Sequence, residues 1–350
     1  MNNIIDIGFA EECESWRLCS RFFPSKIGGK PAWLDLQHIP TAEQLTCDYC
    51  QNPCIFLCQV YAPYDDDDRT FHRTLFVFVC RDPSCCKDNE NGNVRVFRSQ
   101  LSKVNIFYPS DPPVEKQHWR SDISVEKWTK TCNLCGIFSS KQCSMCKKVN
   151  YCGRFHQVWD WKNGHKSSCD RKNITSSSSK FLFQEYELVI ERDDCHQESE
   201  DSNEKDKVEK YEFTKAEKTG SLQLEKEIDD DLLMMANSFE DKTFSKFTKR
   251  IKSNPHQVLR YNRGGKPLYI SSENQMDDIP KCECGSERQF EFQIMPQLLV
   301  KLNLDNVLHN IDWGVLLIYT CKHSCATTHK YANEYVWKQD IVKVPINDSK

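Results

Sequence analysis

Eight cysteine and histidine side chains fall within one 38-residue stretch: Cys132-x2-Cys135-x7-Cys143-x2-Cys146-x5-Cys152-x3-His156-x8-His165-x3-Cys169. Thiolate and imidazole are ligands that zinc prefers. A structural zinc takes four of them in a closed tetrahedron, so eight ligands make two sites. Each x2 pair fits a tight turn that offers two sulfurs to one ion. Cys152 and His156 stand four apart, as do His165 and Cys169, so each pair shares a helix face. Spacing alone leaves open whether the two sites are sequential or interleaved. Both sets of four are complete, which argues against an open catalytic zinc. The stretch holds so little apolar sequence that it needs metal to fold, and a structural zinc supplies roughly 10–16 kcal/mol.

Fourteen further cysteines bring the total to 20 in 350 residues. Met1 to Glu14 has no basic stretch followed by an apolar core, so no secretory signal is expected. Apolar runs such as Leu75 to Val79 and Val315 to Ile318 are too short for a membrane span. A reducing compartment disfavours disulfides, and metal is the remaining use for so many thiols. Cys47, Cys50, Cys80 and Cys85 or Cys86 form one group that could hold further zinc; Cys282, Cys284, Cys321 and Cys325 form another. Each has a close pair before one strand and a second pair after a later one, the way a zinc ribbon clamps its turns. The alternative for both groups is buried free thiols. Cys13, Cys19, Cys54, Cys58 and Cys195 read as packing or incidental residues. The chain has no Gly-x-Ser-x-Gly, His-Glu-x2-His or Walker motif, so no catalytic residues are expected.

The elements that must position these ligands fall into four regions: 1–125, a β-rich half; 130–171, the cysteine and histidine cluster; 172–230, an acidic linker; and 231–345, a second β-rich half. Ile55 to Tyr61, Phe71 to Cys80 and Val94 to Arg98 read as strands, as do Glu291 to Ile294, Val315 to Thr320 and Tyr331 to Trp337. Asp65 to Asp68 reads as a loop tip. Leu232 to Ile251 reads as a helix with Phe244, Phe247 and Ile251 on one face, ended near Pro255. Glu191 to Asp231 carries sixteen acidic and seven basic residues, a net of −9, which leaves +5 for the rest of a chain whose net charge is −4. Most of the linker is too polar to offset its ordering entropy, so it reads as flexible and disordered. The cluster is basic, with Lys141, Lys147, Lys148, Arg154, Lys162 and Lys166 against Asp160 alone.

Gly28-Gly29-Lys30-Pro31 recurs as Gly264-Gly265-Lys266-Pro267. In each half a close cysteine pair, a strand, a second strand and a second cysteine group follow in the same order. The expected fold is therefore α+β, mostly β: a duplicated β-rich domain, with the cluster and linker set between its copies.

The cluster resembles a MYND zinc finger, including Tyr151-Cys152 and Trp159-Asp160-Trp161 before Gly164-His165-Lys166. That resemblance implies interleaved zinc sites: Cys132, Cys135, Cys152 and His156 for one, and Cys143, Cys146, His165 and Cys169 for the other. It also implies protein or proline-containing peptide partners. Direct nucleic-acid binding is not expected, because base-stacking aromatics on a sheet are not evident.

Beyond the finger, the likeness is to the programmed cell death protein 2 family. It rests on Ile7 to Glu11, Pro24 to Lys26, Gly28 to Trp33, Gln59 to Pro63, Gln257 to Tyr261, Phe290 to Leu299, Ile311 to Gly314 and Val336 to Asp340. It covers nearly everything except the linker. The family resemblance implies a dedicated chaperone. It would capture a nascent, basic small-subunit ribosomal protein of the universal S-five family, in cytoplasm and nucleus, and support small-subunit biogenesis. The alternative is a MYND-finger nuclear adaptor in transcription, apoptosis or proliferation control. A MYND-bearing lysine methyltransferase would need an Asn-His motif, and the chain has no such dipeptide. Trp33, Tyr61, Tyr269 and Trp313 are candidates for a client surface, with core packing the plainer fate of each.

Overall fold

The computed structural model describes residues 5–64, 66–169, 178–193, 242–305, 310–326 and 330–341. Twelve strands lie among them: β1 Asp6–Glu11, β2 Lys26–Ile27, β3 Ile55–Tyr61, β4 His72–Val79, β5 Val94–Leu101, β6 Lys141–Gln142, β7 Asn150–Tyr151, β8 Tyr186–Arg192, β9 Leu259–Tyr261, β10 Arg288–Ile294, β11 Val315–Cys321 and β12 Tyr331–Gln339. The longer helices are α1 Arg154–Asp160, α2 Lys242–Ile251 and α3 Gln297–Lys301.

Ten strands close into one antiparallel barrel in the order β1-β8-β2-β3-β4-β5-β12-β11-β10-β9, with β9 returning to β1. The duplication is visible in this order. β2-β3-β4-β5 and β9-β10-β11-β12 are matching meanders that meet where β5 pairs β12. At the other seam the leading strands are exchanged. β1 pairs β9 of the second half, β8 pairs β2 of the first, and β1 and β8 pair with each other. Each half therefore completes the other's sheet, and closure removes the free edges that either half would expose.

Side-chain detail repeats as well. The register shifts between Phe56 and Cys58 in β3, and between Phe290 and Phe292 in β10. Gln59 in β3 bonds both backbone groups of Ala32, the residue after the first Gly-Gly-Lys-Pro. Gln293 in β10 does the same to Leu268, the residue after the second.

β4 is buried along its whole length, so both of its faces meet protein. Its pairing with β5 sets Arg73, Leu75 and Val77 on one face with Arg98 and Val96. Phe76 and Phe78 lie on the other face, against Trp33. On the first face lie two buried charge clusters. Arg73 makes a two-pronged ion pair with Glu291 (2.7 and 2.9 Å), which also accepts from Tyr261 and Arg263. Arg98 pairs with Glu334, which Arg288 also reaches. In both clusters a cation from one half meets a carboxylate from the other. α2 lays Phe244, Phe247 and Ile251 into a separate core with Phe290, Val315, Leu317 and Tyr319.

The strands expected from sequence are present within a few residues of their expected ends, and the helix expected over Leu232 to Ile251 is seen from Lys242 onward. The range expected as linker contains a strand. Tyr186–Arg192, inside the expected 172–230 linker, is β8, bonded on both sides within the barrel. Tyr186 and Leu188 of this strand are buried, whereas Glu191 and Arg192 at its end are exposed; the apolar residues within Phe181 to Ile190 are the one departure from the segment's polarity. Residues 194–230 lie outside the described residues. Asp65, one end of the expected loop tip, does too; Asp68–Thr70 forms a short 3-10 turn, with the Asp67 carboxylate accepting from the Arg69 amide.

Candidate metal centre

The finger is built on two cysteine turns and one short helix. In the first turn the Gly136 amide donates to the Cys132 carbonyl at 2.9 Å; in the second, the Lys147 amide donates to Cys143 at 3.0 Å. Each turn ends on a left-handed residue, Gly136 (φ 77°) and Lys147 (φ 54°). β6 and β7 form a small hairpin with the second turn at its tip, and α1 follows β7. α1 carries His156 four residues after Cys152. The chain then kinks at the non-helical Gly164, and the turn beyond it delivers His165 and Cys169.

The eight ligands separate into two interleaved tetrads. The ligand atoms of Cys132, Cys135, Cys152 and His156 lie within 4.8 Å of one another; so do those of Cys143, Cys146, His165 and Cys169. Cys135 and Cys152 stand 3.8 Å apart sulfur to sulfur, and Cys143 and Cys169 3.9 Å. Two thiolates ~2.3 Å from one zinc stand about 3.8 Å apart in a tetrahedron. His156 turns Nδ1 toward Cys152 (3.0 Å) and Cys132 (3.8 Å), whereas His165 turns Nε2 toward Cys143 (3.4 Å) and Cys146 (3.6 Å). The donor chemistry and spacing thus fit a zinc ion in each tetrad. Burial opposes ionisation of Cys132, but the neighbouring Cys135, Cys152 and His156 draw its thiol well below the ordinary value.

One positioning residue was missed in the sequence. Asp160, the lone acid among the finger's six cations, is fully buried at the end of α1. Its Oδ2 accepts from the Tyr151 hydroxyl at 2.7 Å and from Asn133 at 2.9 Å. It thereby ties the helix bearing His156 to both the hairpin and the first cysteine turn. Its isolation in a basic segment was the available signal.

The finger packs against the barrel. The Trp33 indole donates to the Gly136 carbonyl at 2.8 Å, and the Phe138 amide donates to Pro40 at 3.1 Å. Phe181, beyond the finger, packs on His156 and Trp159, with the Arg81 guanidinium over its ring. Trp33 and Trp313 are core residues, the second donating its indole N–H to the Met295 carbonyl. Tyr61 and Tyr269 are half-buried, and the Tyr61 hydroxyl meets His72 Nδ1 at 2.9 Å.

The other two cysteine groups also converge. Cys47, Cys50, Cys80 and Cys85 form one tetrad; Cys282, Cys284, Cys321 and Cys325 form the other. The choice between Cys85 and Cys86 falls to Cys85. The Cys86 sulfur instead accepts the Asp312 amide at 3.1 Å.

Comparison with known sequences agrees with this architecture. The profile of the programmed cell death protein 2 N-terminal domain matches residues 4–115, that of the C-terminal putative domain 241–343, and that of the MYND finger 132–169. Mouse programmed cell death protein 2 is 43% identical over 97% of this chain and 98% of its own length. The chain belongs to the programmed cell death protein 2 family. The human programmed cell death protein 2-like is 26% identical over 86% of the chain, and a fission-yeast protein called probable 20S rRNA accumulation protein 4 is 23% identical over 85%. An Arabidopsis ubiquitin carboxyl-terminal hydrolase matches over 59 residues, 9% of its own length. No solved structure matches at a significant level. The two profile domains supply nine of the barrel's ten strands, β8 lies between the two matched ranges, and so does the finger. No helix among the described residues is long and apolar enough to cross a membrane.

Proposed function

We propose that this protein is a zinc-binding dedicated chaperone. It captures a nascent small-subunit ribosomal protein, of the universal S-five family, and so supports small ribosomal subunit biogenesis. The observation that carries the reading is the match, along 85% of the chain, to a yeast protein whose name ties it to accumulation of 20S ribosomal RNA. The charge pattern supports it. Ribosomal clients are strongly cationic, and Glu191 to Asp231 offers a net of −9 to screen such a client before delivery. The finger's tetrads, each complete with four protein ligands, fit a structural rather than a catalytic role for zinc. Cytoplasm and nucleus are the compartments where such work takes place. The test is a binding titration of the full chain against the purified S-five protein and a second, equally basic small-subunit protein. Tight one-to-one binding of the first alone supports the reading; equal, salt-labile binding of both overturns it.

A second reading, a finger-based nuclear adaptor, is favoured by three exposed apolar side chains on the finger: Met145 (64% exposed), Phe155 (47%) and Val158 (41%). Phe155→Ala with Val158→Ala should abolish adaptor contacts and leave capture of a ribosomal client intact.

A further inference from the structure

We propose that the two cysteine tetrads outside the finger each hold one zinc ion, for a total of four per chain, and that these outer ions brace the barrel where its halves meet. Three independent observations converge on this.

The first is distance. Cys50 and Cys80 stand 3.5 Å apart sulfur to sulfur, Cys282 and Cys325 3.6 Å, and Cys284 and Cys321 3.7 Å. These match the tetrahedral edge of about 3.8 Å for thiolates around zinc and are far beyond a disulfide bond of ~2.05 Å. Each donor set is four thiolates with no carboxylate, the set that selects zinc over hard cations.

The second is backbone. The outer close pairs reproduce the turn that carries the finger's own ligands. The Gln51 amide donates to the Cys47 carbonyl at 3.1 Å, with Gln51 left-handed at φ 61°. The Gly285 amide donates to Cys282 at 2.8 Å, with Gly285 at φ 84°. The second turn is one residue shorter because its cysteines are separated by one residue rather than two. A left-handed glutamine is uncommon and costs about 1 kcal/mol or more, so something must hold it there.

The third is placement. Each tetrad joins the residues just before one strand to those at or after the end of its partner: β3 with β4, and β10 with β11. The two hairpins are equivalent in the duplicated fold. Each tetrad also adjoins contacts with the opposite half. Arg98 of β5 donates to the Cys325 carbonyl at 3.1 Å while pairing with Glu334. After Cys85, the loop bonds the second half through Cys86 with Asp312, Lys87 with Lys338, and Asn89 with Asp340. An ion in either site therefore fixes a loop on which contacts between the halves depend.

The experiment is native mass spectrometry of the full chain, purified without chelator, with the bound metal identified by mass. The expected result is four zinc ions in the wild type, three in Cys50→Ser, three in Cys284→Ser and four in Cys86→Ser. Two ions in the wild type, or iron in place of zinc, overturns the proposal, and that count stands even if a variant fails to purify. For the bracing role, hydrogen exchange of Cys284→Ser is compared with wild type. Exchange should quicken by about tenfold or more across β5 and β12 and stay unchanged in β6 and β7. Equal exchange at β5 and β12 overturns the bracing role.

Discussion

Glu291→Gln should cost the barrel about 3 kcal/mol, and the magnitude follows from the cluster around that carboxylate. Glu291 is fully buried. Burial alone pushes a carboxyl group up, but Arg73 first, then Arg263 and the Thr320 hydroxyl, pull it from its ordinary 4.5 down to about 2. A depression of that size is worth about 3 kcal/mol of folded-state preference for the charged form. Glutamine keeps the shape and removes the charge, leaving the Arg73 guanidinium without its counter-ion. Breaking one side of a buried pair costs about 3–5 kcal/mol in general, so the two routes agree. Because the folded-state value is depressed, the contribution is complete above pH 4.5 and lost as pH falls towards 2. The assay is urea unfolding followed by tryptophan fluorescence. The gap between wild type and variant should hold at about 3 kcal/mol from pH 5.5 to 8 and close below pH 4.5. Protonation of metal ligands lowers both proteins alike and cancels in the difference. A gap under about 1 kcal/mol, or one independent of pH, would refute the view that this cluster binds the two halves from within.

Three other outcomes follow from the same structure. Gly28→Ala should destabilise by about 3 kcal/mol or more, since its Cβ would stand 1.9 Å from the Gln184 carbonyl oxygen. Its counterpart Gly264→Ala should cost only about 1 kcal/mol, having no neighbour nearer than 3.6 Å; thermal unfolding of the two side by side decides. Deleting residues 194–231, which spares β8, should slow client capture in stopped-flow mixing at low salt and matter little at high salt; an unchanged rate would make the segment a spacer only. Cys135→Ala should lose one zinc from the finger by mass yet retain client binding if the barrel is the capture surface, whereas loss of both would place capture on the finger.

The sequence was most legible where chemistry is local. Cysteine and histidine spacing disclosed the ligand groups, because a zinc turn needs its ligands within a few residues; interleaving of the finger's tetrads came from the family resemblance, and the choice of Cys85 over Cys86 needed the geometry. The recurring Gly-Gly-Lys-Pro disclosed the duplication, because that turn and its glutamine clamp are built twice. Pairing between distant segments was not readable. The exchange of β1 and β8 depends on contacts nearly 200 residues apart, and no local pattern marks it. β2 and β9 are two and three residues long, too short for alternation to show. Nothing local in the sequence marks Arg73 and Glu291 as partners, and only closure of the barrel brings them together. Asp160 was visible as the odd acid in a basic segment, but its part in holding α1 needed the geometry.

The central claim, a dedicated ribosomal-protein chaperone, is tested most directly by purifying the tagged full chain from cells and identifying what accompanies it, including ribosome-bound messenger RNA. The account predicts one small-subunit ribosomal protein in near-stoichiometric yield, with its own message enriched. Chromatin or signalling proteins with no ribosomal client would contradict it and move the function to the finger.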